Sequence, residues 1–294
     1  MKKEELSAEK INNLVIKPEK WIKKKYKIPY VIKLFSERQK LYIIGVSHND
    51  FRNRQITTIE RLFKDFLRNG NKNSVLATEL KIPQGEKFNS KMEALKKYGE
   101  FGLAAFLSKE KGLSRKCFEP NMKEIFDNVK KMGYGKMDIV LWSFFNAINF
   151  RWSQEKSGEN KEMLKKTIIR LDKLIGINKI KNKKNILKNI EKNYFNYFSK
   201  RTDKILGWKL PQTFNTLIDI KSEIRKKIKT AQDPFFLQTE INRIGSAVNW
   251  NRDILMAKKI MRILNSGKSV FAVCGANHTV AQEPLMKKFF NLMK

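Results

Sequence analysis

The spacing of apolar positions changes several times along this chain, and each change marks an element. "IPYVIKLFSERQKLYIIG" reads as two strands around a Ser-Glu-Arg-Gln turn, a hairpin feeding the core. Leu41–Val46 is a continuous apolar, β-forming run. Ile56, Ile59, Leu62, Phe63, Phe66 and Leu67 then recur at helical spacing, "NGNKN" breaks the helix, and Ser74–Leu80 is a second β-type run. Strand, helix and strand at this length predict a βαβ unit with parallel strands. "YGEFGLAAFLSKEKG" predicts a further helix, followed by a short strand around Cys117–Glu119 that Pro120 stops.

From about residue 121 to 265 the pattern is helical, and much of 155–232 is rich in Lys, Asn and Ile. A long helix is expected from Thr239 to Ser266. One stripe holds Trp250, Ile254, Ala257, Met261 and Leu264, and a second holds Ile244, Val248 and Leu255. Arg252 lies on that second stripe, where a guanidinium needs something anionic to meet it. "NSGKS" ends the helix, Ser269–Cys274 is the final strand, and "VAQEPLMKKFFNLMK" is the closing helix. The expected fold class is α/β: a mainly parallel sheet with βα units at both ends of the chain and a large helical insertion. Residues 1–28 form a peripheral basic arm, 29–120 and 236–294 the α/β core, and 121–235 an inserted lobe covering the carboxyl edge of the sheet.

Composition permits such a core, since 41% of residues are hydrophobic, near the globular norm. The formal net charge of +33 is extreme. It is spread along the chain with no recognition motif, so a general lysine bias that keeps the protein in solution is the first reading. Attraction to nucleic acid or another anionic polymer, to an anionic membrane or to an acidic substrate is the less favoured one. Cys117 and Cys274 have no ligand-like spacing, which fits a reducing compartment. "MKKEELSAEK" lacks the apolar stretch of a secretory signal, and "MDIVLWSFFNAINF" is too short to span a bilayer and is interrupted by Asn146 and Asn149. A cytoplasmic protein without a membrane span is expected.

The chemistry concentrates on the only two histidines, in "LYIIGVSHND" and "FAVCGANHTV". Each follows a β-type run as Gly-x-x-His: Gly45 to His48 and Gly275 to His278. With 14 glycines in 294 residues, roughly one His in twenty would have Gly three positions before it, and both would do so roughly once in four hundred. The plain alternative is a glycine serving a tight turn and a histidine capping a helix. In an open parallel sheet, strand-to-helix loops converge outside the carboxyl ends of the strands. His48, Glu79, Glu119 and His278 all follow strands and so point into one crevice if the last strand is parallel. Two His and one carboxylate are a common first shell for a catalytic divalent metal. Without metal, His48 is the candidate general base on water, and Arg252 the candidate stabiliser of a developing oxyanion. For Arg252 and Asp253 a buried ion pair holding the helix to the sheet is an equal reading. For Glu119 a mere strand-end position is the preferred one.

"LYIIGVSH", "SVLATEL" and "NRDILMAKKIMRILNSGKSVFAVCGANH" together resemble the TraB/TIKI (GumN-type) proteins, which look like relatives of the erythromycin-esterase and ChaN-type folds. The resemblance covers roughly 41–80 and 243–290. It departs at Asn251, where the TraB-like version usually has an acidic residue, and after His278, where a Gly is often found. It implies hydrolysis of an amide or ester bond in a small-molecule or peptide substrate. His48, Glu79 and His278 form the active centre, with Arg252 and Asp253 in support. It also implies a divalent metal (Mn, Zn or Co) on His48, Glu79 and His278 in the TIKI-like case, metal-free water activation in the esterase-like case, and haem binding in the ChaN-like case, the least favoured. A non-catalytic protein holding haem, a metal or a small molecule on the same fold is the alternative from a different class.

Overall fold

The Ser-Glu-Arg-Gln turn closes on itself: the Ser36 amide donates to the Gln39 carbonyl at 2.9 Å and the Gln39 amide to Ser36 Oγ at 3.1 Å. The structure is a computed structural model that describes residues 6–48, 53–68, 73–140, 142–143, 196–197, 199–200 and 239–292. Two compact units divide the chain, one formed by Met1–Pro120 with Arg252–Lys294, the other by Asn121–Asn251.

In chain order the elements are α1 (Ala8–Leu14), α2 (Pro18–Trp21), β1 (Tyr30–Phe35), β2 (Lys40–Val46), α3 (Asn53–Leu67), β3 (Ser74–Thr78), α4 (Lys91–Glu110), β4 (Ser114–Cys117), α5 (Met122–Lys131), α6 (Glu240–Asn265), β5 (Ser269–Gly275) and α7 (Ala276–Asn291). The protein is α/β, with a mixed and mostly parallel sheet of five strands in the order β1-β2-β5-β3-β4. Only β1 runs antiparallel, as the hairpin partner of β2. β5 lies parallel between β2 and β3, with Gly45 opposite Cys274 and Thr78 opposite Val273. The first two parallel strands are therefore not neighbours, because the last strand of the chain inserts between them.

Burial explains the strand patterns. β3 and β5 are buried at every position, as a sheet covered on both faces requires, and they read as unbroken apolar runs. On one face Tyr42, Ile44, Val46, Leu76, Phe271 and Val273 pack with Ile59, Phe63 and Phe66 of α3 and Leu103 and Ala104 of α4. On the other, Gly45 lies against α7. The strand expected around Cys117–Glu119 ends at Cys117 instead, and the one expected to reach Leu80 ends at Thr78. α7 begins at Ala276, earlier than its apolar pattern suggests, and carries Pro284 inside it. His278 therefore sits in the first turn of a helix rather than on a loop.

The N-terminal segment is attached to the core. Ile11, Val15 and Trp21 are buried, and the Ile16 amide donates to the Ala281 carbonyl of α7 at 2.9 Å. In the second unit, α5 starts with a capping box between Asn121 and Glu124 and buries Ile125, Phe126 and Val129. "MDIVLWSFFNAINF" and the Lys/Asn/Ile-rich stretch fall largely outside the described residues, as does the expected covering lobe. Among the described residues no helix is long and apolar enough to cross a membrane.

Gly45 is needed for close approach, since a Cβ there would lie 2.6 Å from Thr279 Oγ1 and 2.7 Å from Ala276 Cα. The second contact is backbone and cannot swing away. Gly45→Ala is expected to cost about 1–3 kcal/mol of stability through overpacking. A urea midpoint equal to that of the parent would show that α7 yields without cost.

Candidate active site

Strand ends bring the titratable residues together. Glu79 immediately follows β3, and its amide continues the ladder by donating to the Val273 carbonyl at 3.2 Å. His48 is two residues past β2, Glu119 two past β4, and His278 three past the end of β5. α6 contributes Arg252 and Asp253, both in the same unit as these strands.

The two imidazoles meet across Gly275. A Cβ on Gly275 would lie 3.0 Å from His48 Nε2 and 3.4 Å from His278 Cδ2, so glycine leaves the space that both rings use. Each ring is held from behind by its own carboxylate. His48 Nδ1 is 2.7 Å from Glu100 Oε1, and His278 Nδ1 is 2.6 Å from Asp253 Oδ1. A carboxylate accepts, so each Nδ1 carries the proton and each Nε2 is left free for chemistry. Both Nε2 atoms face Glu79, that of His48 at 3.8 Å from Oε2 and that of His278 at 3.7 Å from Oε1. The His48 side chain is 45% exposed and that of His278 12%, so His48 is the ring that solvent and ligands reach.

Arg252 organises the other side. Its Nε donates to Glu119 Oε1 at 2.7 Å, and its Nη2 to Glu119 Oε2 at 2.9 Å and Glu79 Oε1 at 2.6 Å. The Gly275 amide donates to Glu79 Oε2 at 2.8 Å. Of the two readings open to Arg252, the ion-pair geometry is present, though with Glu79 and Glu119 rather than with Asp253.

Four carboxyl groups, Glu79, Glu100, Glu119 and Asp253, thus surround one guanidinium and two imidazoles. That imbalance shows in their proton affinities. The bond to Glu100 raises the His48 pKa, outweighing burial, which lowers it. Burial raises Asp253, against the opposing pull of His278, and burial likewise raises Glu119 despite its bond to Arg252. Burial would raise Glu79 as well, but His278, Arg252 and the Gly275 N–H together hold it below the usual carboxylate range.

Glu100 escapes the sequence reading. It begins the second half of α4 beyond a break at Tyr98 and Gly99, where Gly99 takes a left-handed φ of 58°. The available signal is an acidic residue beside a glycine in the apolar stretch "GEFGLAAF".

The imidazoles suit a divalent metal, since a ligating His commonly gives its second nitrogen to a carboxylate. The third ligand does not suit it. Both Glu79 oxygens are already hydrogen-bonded, one of them to a cationic guanidinium. Among the described residues no group of three or more His, Cys, Asp or Glu side chains is arranged to hold a metal ion. Haem would need an Nε2 facing an open apolar slot, whereas both face the Glu79 carboxylate. Comparison with protein-family models, curated proteins and solved structures finds no match to this chain.

Arg252→Met leaves two largely buried carboxylates without their cation and is expected to destabilise the protein by about 2–4 kcal/mol. The carboxyl of Glu79 is depressed, so its stabilising contribution is present above the ordinary carboxylate range and lost as pH falls through its lowered value. Urea unfolding should therefore show the full deficit at about pH 7 and a smaller one near about pH 4.

Proposed function

We propose that the protein is a hydrolase that cleaves an amide or ester bond with water activated by a histidine, akin to the TraB/TIKI-like and erythromycin-esterase-like proteins it resembles. The observation that carries this reading is the convergence of two His–carboxylate dyads, His48–Glu100 and His278–Asp253, with both Nε2 atoms turned to one carboxylate. A buried ion-pair network serving stability alone has no need of two oriented imidazoles with unoccupied Nε2 edges.

In the productive state His48 is neutral, its proton on Nδ1 facing Glu100. Nε2 of His48 takes a proton from water as the water oxygen bonds to the substrate carbonyl carbon, and the carbonyl π pair moves onto its oxygen. His278 Nε2, which faces the same space, accepts a hydrogen bond from that water and orients it. As the tetrahedral adduct collapses, the carbonyl re-forms, the bond to the leaving oxygen or nitrogen breaks, and that atom takes the proton from His48 Nε2. His48 is neutral again at the end of the cycle. Glu79 holds the electrostatic centre between the rings, and Arg252 is a positioning residue for Glu79 and Glu119. No step is routed through a metal, for which the Arg252 guanidinium competes at Glu79 Oε1.

His48→Ala and His278→Ala are each expected to lower kcat/KM on p-nitrophenyl esters or a peptide library by at least about 10²-fold, the usual scale for a lost base or a misplaced reactant. Unchanged hydrolysis in both, with the fold intact, removes the enzyme reading. Activity requires neutral His48, whose pKa Glu100 raises. The acid limb of the pH–rate profile should therefore lie above the ordinary histidine value and move down in Glu100→Gln, which keeps an acceptor but loses the charge. Chelator treatment should leave the rate within about two-fold. Loss of activity that Mn, Zn or Co restores would transfer the mechanism to a metal-bound form.

A further inference from the structure

One part of the strongly basic surface differs from the rest. From the last turn of α2 to the start of β1 the chain exposes Lys20, Lys23, Lys24, Lys25 and Lys27, and with them Ile22, 45% exposed, and Ile28, 40% exposed. These two isoleucines are among the few large apolar side chains that the described surface leaves open to water. The segment is fixed in place. Trp21 is buried beneath it, the Lys24 amide donates to the Trp21 carbonyl at 2.9 Å, Tyr26 hydrogen-bonds Asn277, and Tyr30 donates to Glu283 Oε2 at 2.7 Å. The lysines and isoleucines therefore project from an anchored support and not from a free tail.

We propose that residues 20–28 dock on the surface of an anionic lipid bilayer. Clustered lysines are attracted to acidic headgroups, and apolar side chains among them enter the headgroup–acyl boundary. A nucleic acid would use the charge, but contacts to its phosphate backbone gain nothing from two aliphatic side chains. The charge is complementary to acidic lipid, with Glu19 and Glu283 the nearby acidic groups, the latter paired with Lys287 and Tyr30. Docking stands independently of the hydrolase reading. Its consequence for substrate rests on that reading: Asn277 adjoins His278, so a docked chain would bring the two-histidine site to the membrane, where amphiphilic esters and amides reside.

Vesicle co-sedimentation of the full chain tests this without any activity measurement. Binding is expected to phosphatidylcholine vesicles containing about 30% phosphatidylserine and not to pure phosphatidylcholine, with a steep fall as salt rises. Neutralising Lys23, Lys24, Lys25 and Lys27 together to Gln should weaken binding at least ten-fold. Ile22→Ser with Ile28→Ser, which leaves the charge intact, should weaken it at least three-fold. A control with Lys64, Lys109, Lys111 and Arg262 changed to Gln removes equal charge from exposed positions near the opposite ends of the strands and should stay within two-fold of the parent. Absence of binding to the acidic vesicles, or equal losses in the two charge variants, overturns the proposal. So does indifference to the isoleucine changes together with tighter binding to a single-stranded oligonucleotide, which would make the segment a nucleic-acid contact. All six exchanged positions in the two segment variants and the four control residues are solvent-facing, and thermal unfolding by circular dichroism separates a docking defect from a folding one.

Discussion

Glu79 is a carboxylate taken largely out of water, and that can persist only if its oxygens are matched by protons or positive charge. The match comes from three parts of the chain: the guanidinium of Arg252 on α6, the amide of Gly275 where β5 passes into α7, and the edges of two imidazoles. None of these lies near Glu79 in sequence. They meet because β3 and β5 are adjacent and in a register that carries Glu79 level with the end of β5. Shifting that register by one residue would turn Glu79 to the other face and leave Arg252 and both rings without their common partner.

The fold was legible where burial is two-sided. Ser74–Thr78 and Ser269–Gly275 announce themselves as unbroken apolar runs because every side chain in them is covered. Their order was harder to read. A strand, a helix and a strand suggest neighbours, yet β2 and β3 are separated by β5, whose complete burial is the signal of a central position. The start of α7 was hidden by "GANHTVAQEP", since Asn, Thr and Pro are poor helix formers, and Thr279 and Gln282 are buried there as polar residues. The Ser90 side chain, which accepts from the Glu93 amide, marks the start of α4 well before the apolar stretch that predicted it.

Site residues were legible in proportion to how their chemistry restricts them. Two histidines after two strands stand out in a chain with no others. A guanidinium on an apolar stripe points to a buried anion, and Arg252 meets two. Glu100 could not be found in this way. Its partner is 52 residues distant, and what brings the two together is a helix broken at Gly99, a backbone event that the apolar periodicity of α4 does not record. Gly275 likewise reads as a turn residue, although its service is to be small, so that two rings can approach the same Cα.

The central place of β5 also governs how the protein comes into being. β2 and β3 each pair with β5, and β5 comes last of these five strands in chain order. Until residues 269–275 have left the ribosome, β2 and β3 each lack the neighbour that pairs with them and keep an open apolar edge. Unpaired edges of that kind invite association with other chains. Closure of the sheet therefore waits on β5, and Gly275 reaches the two-histidine centre only with that strand.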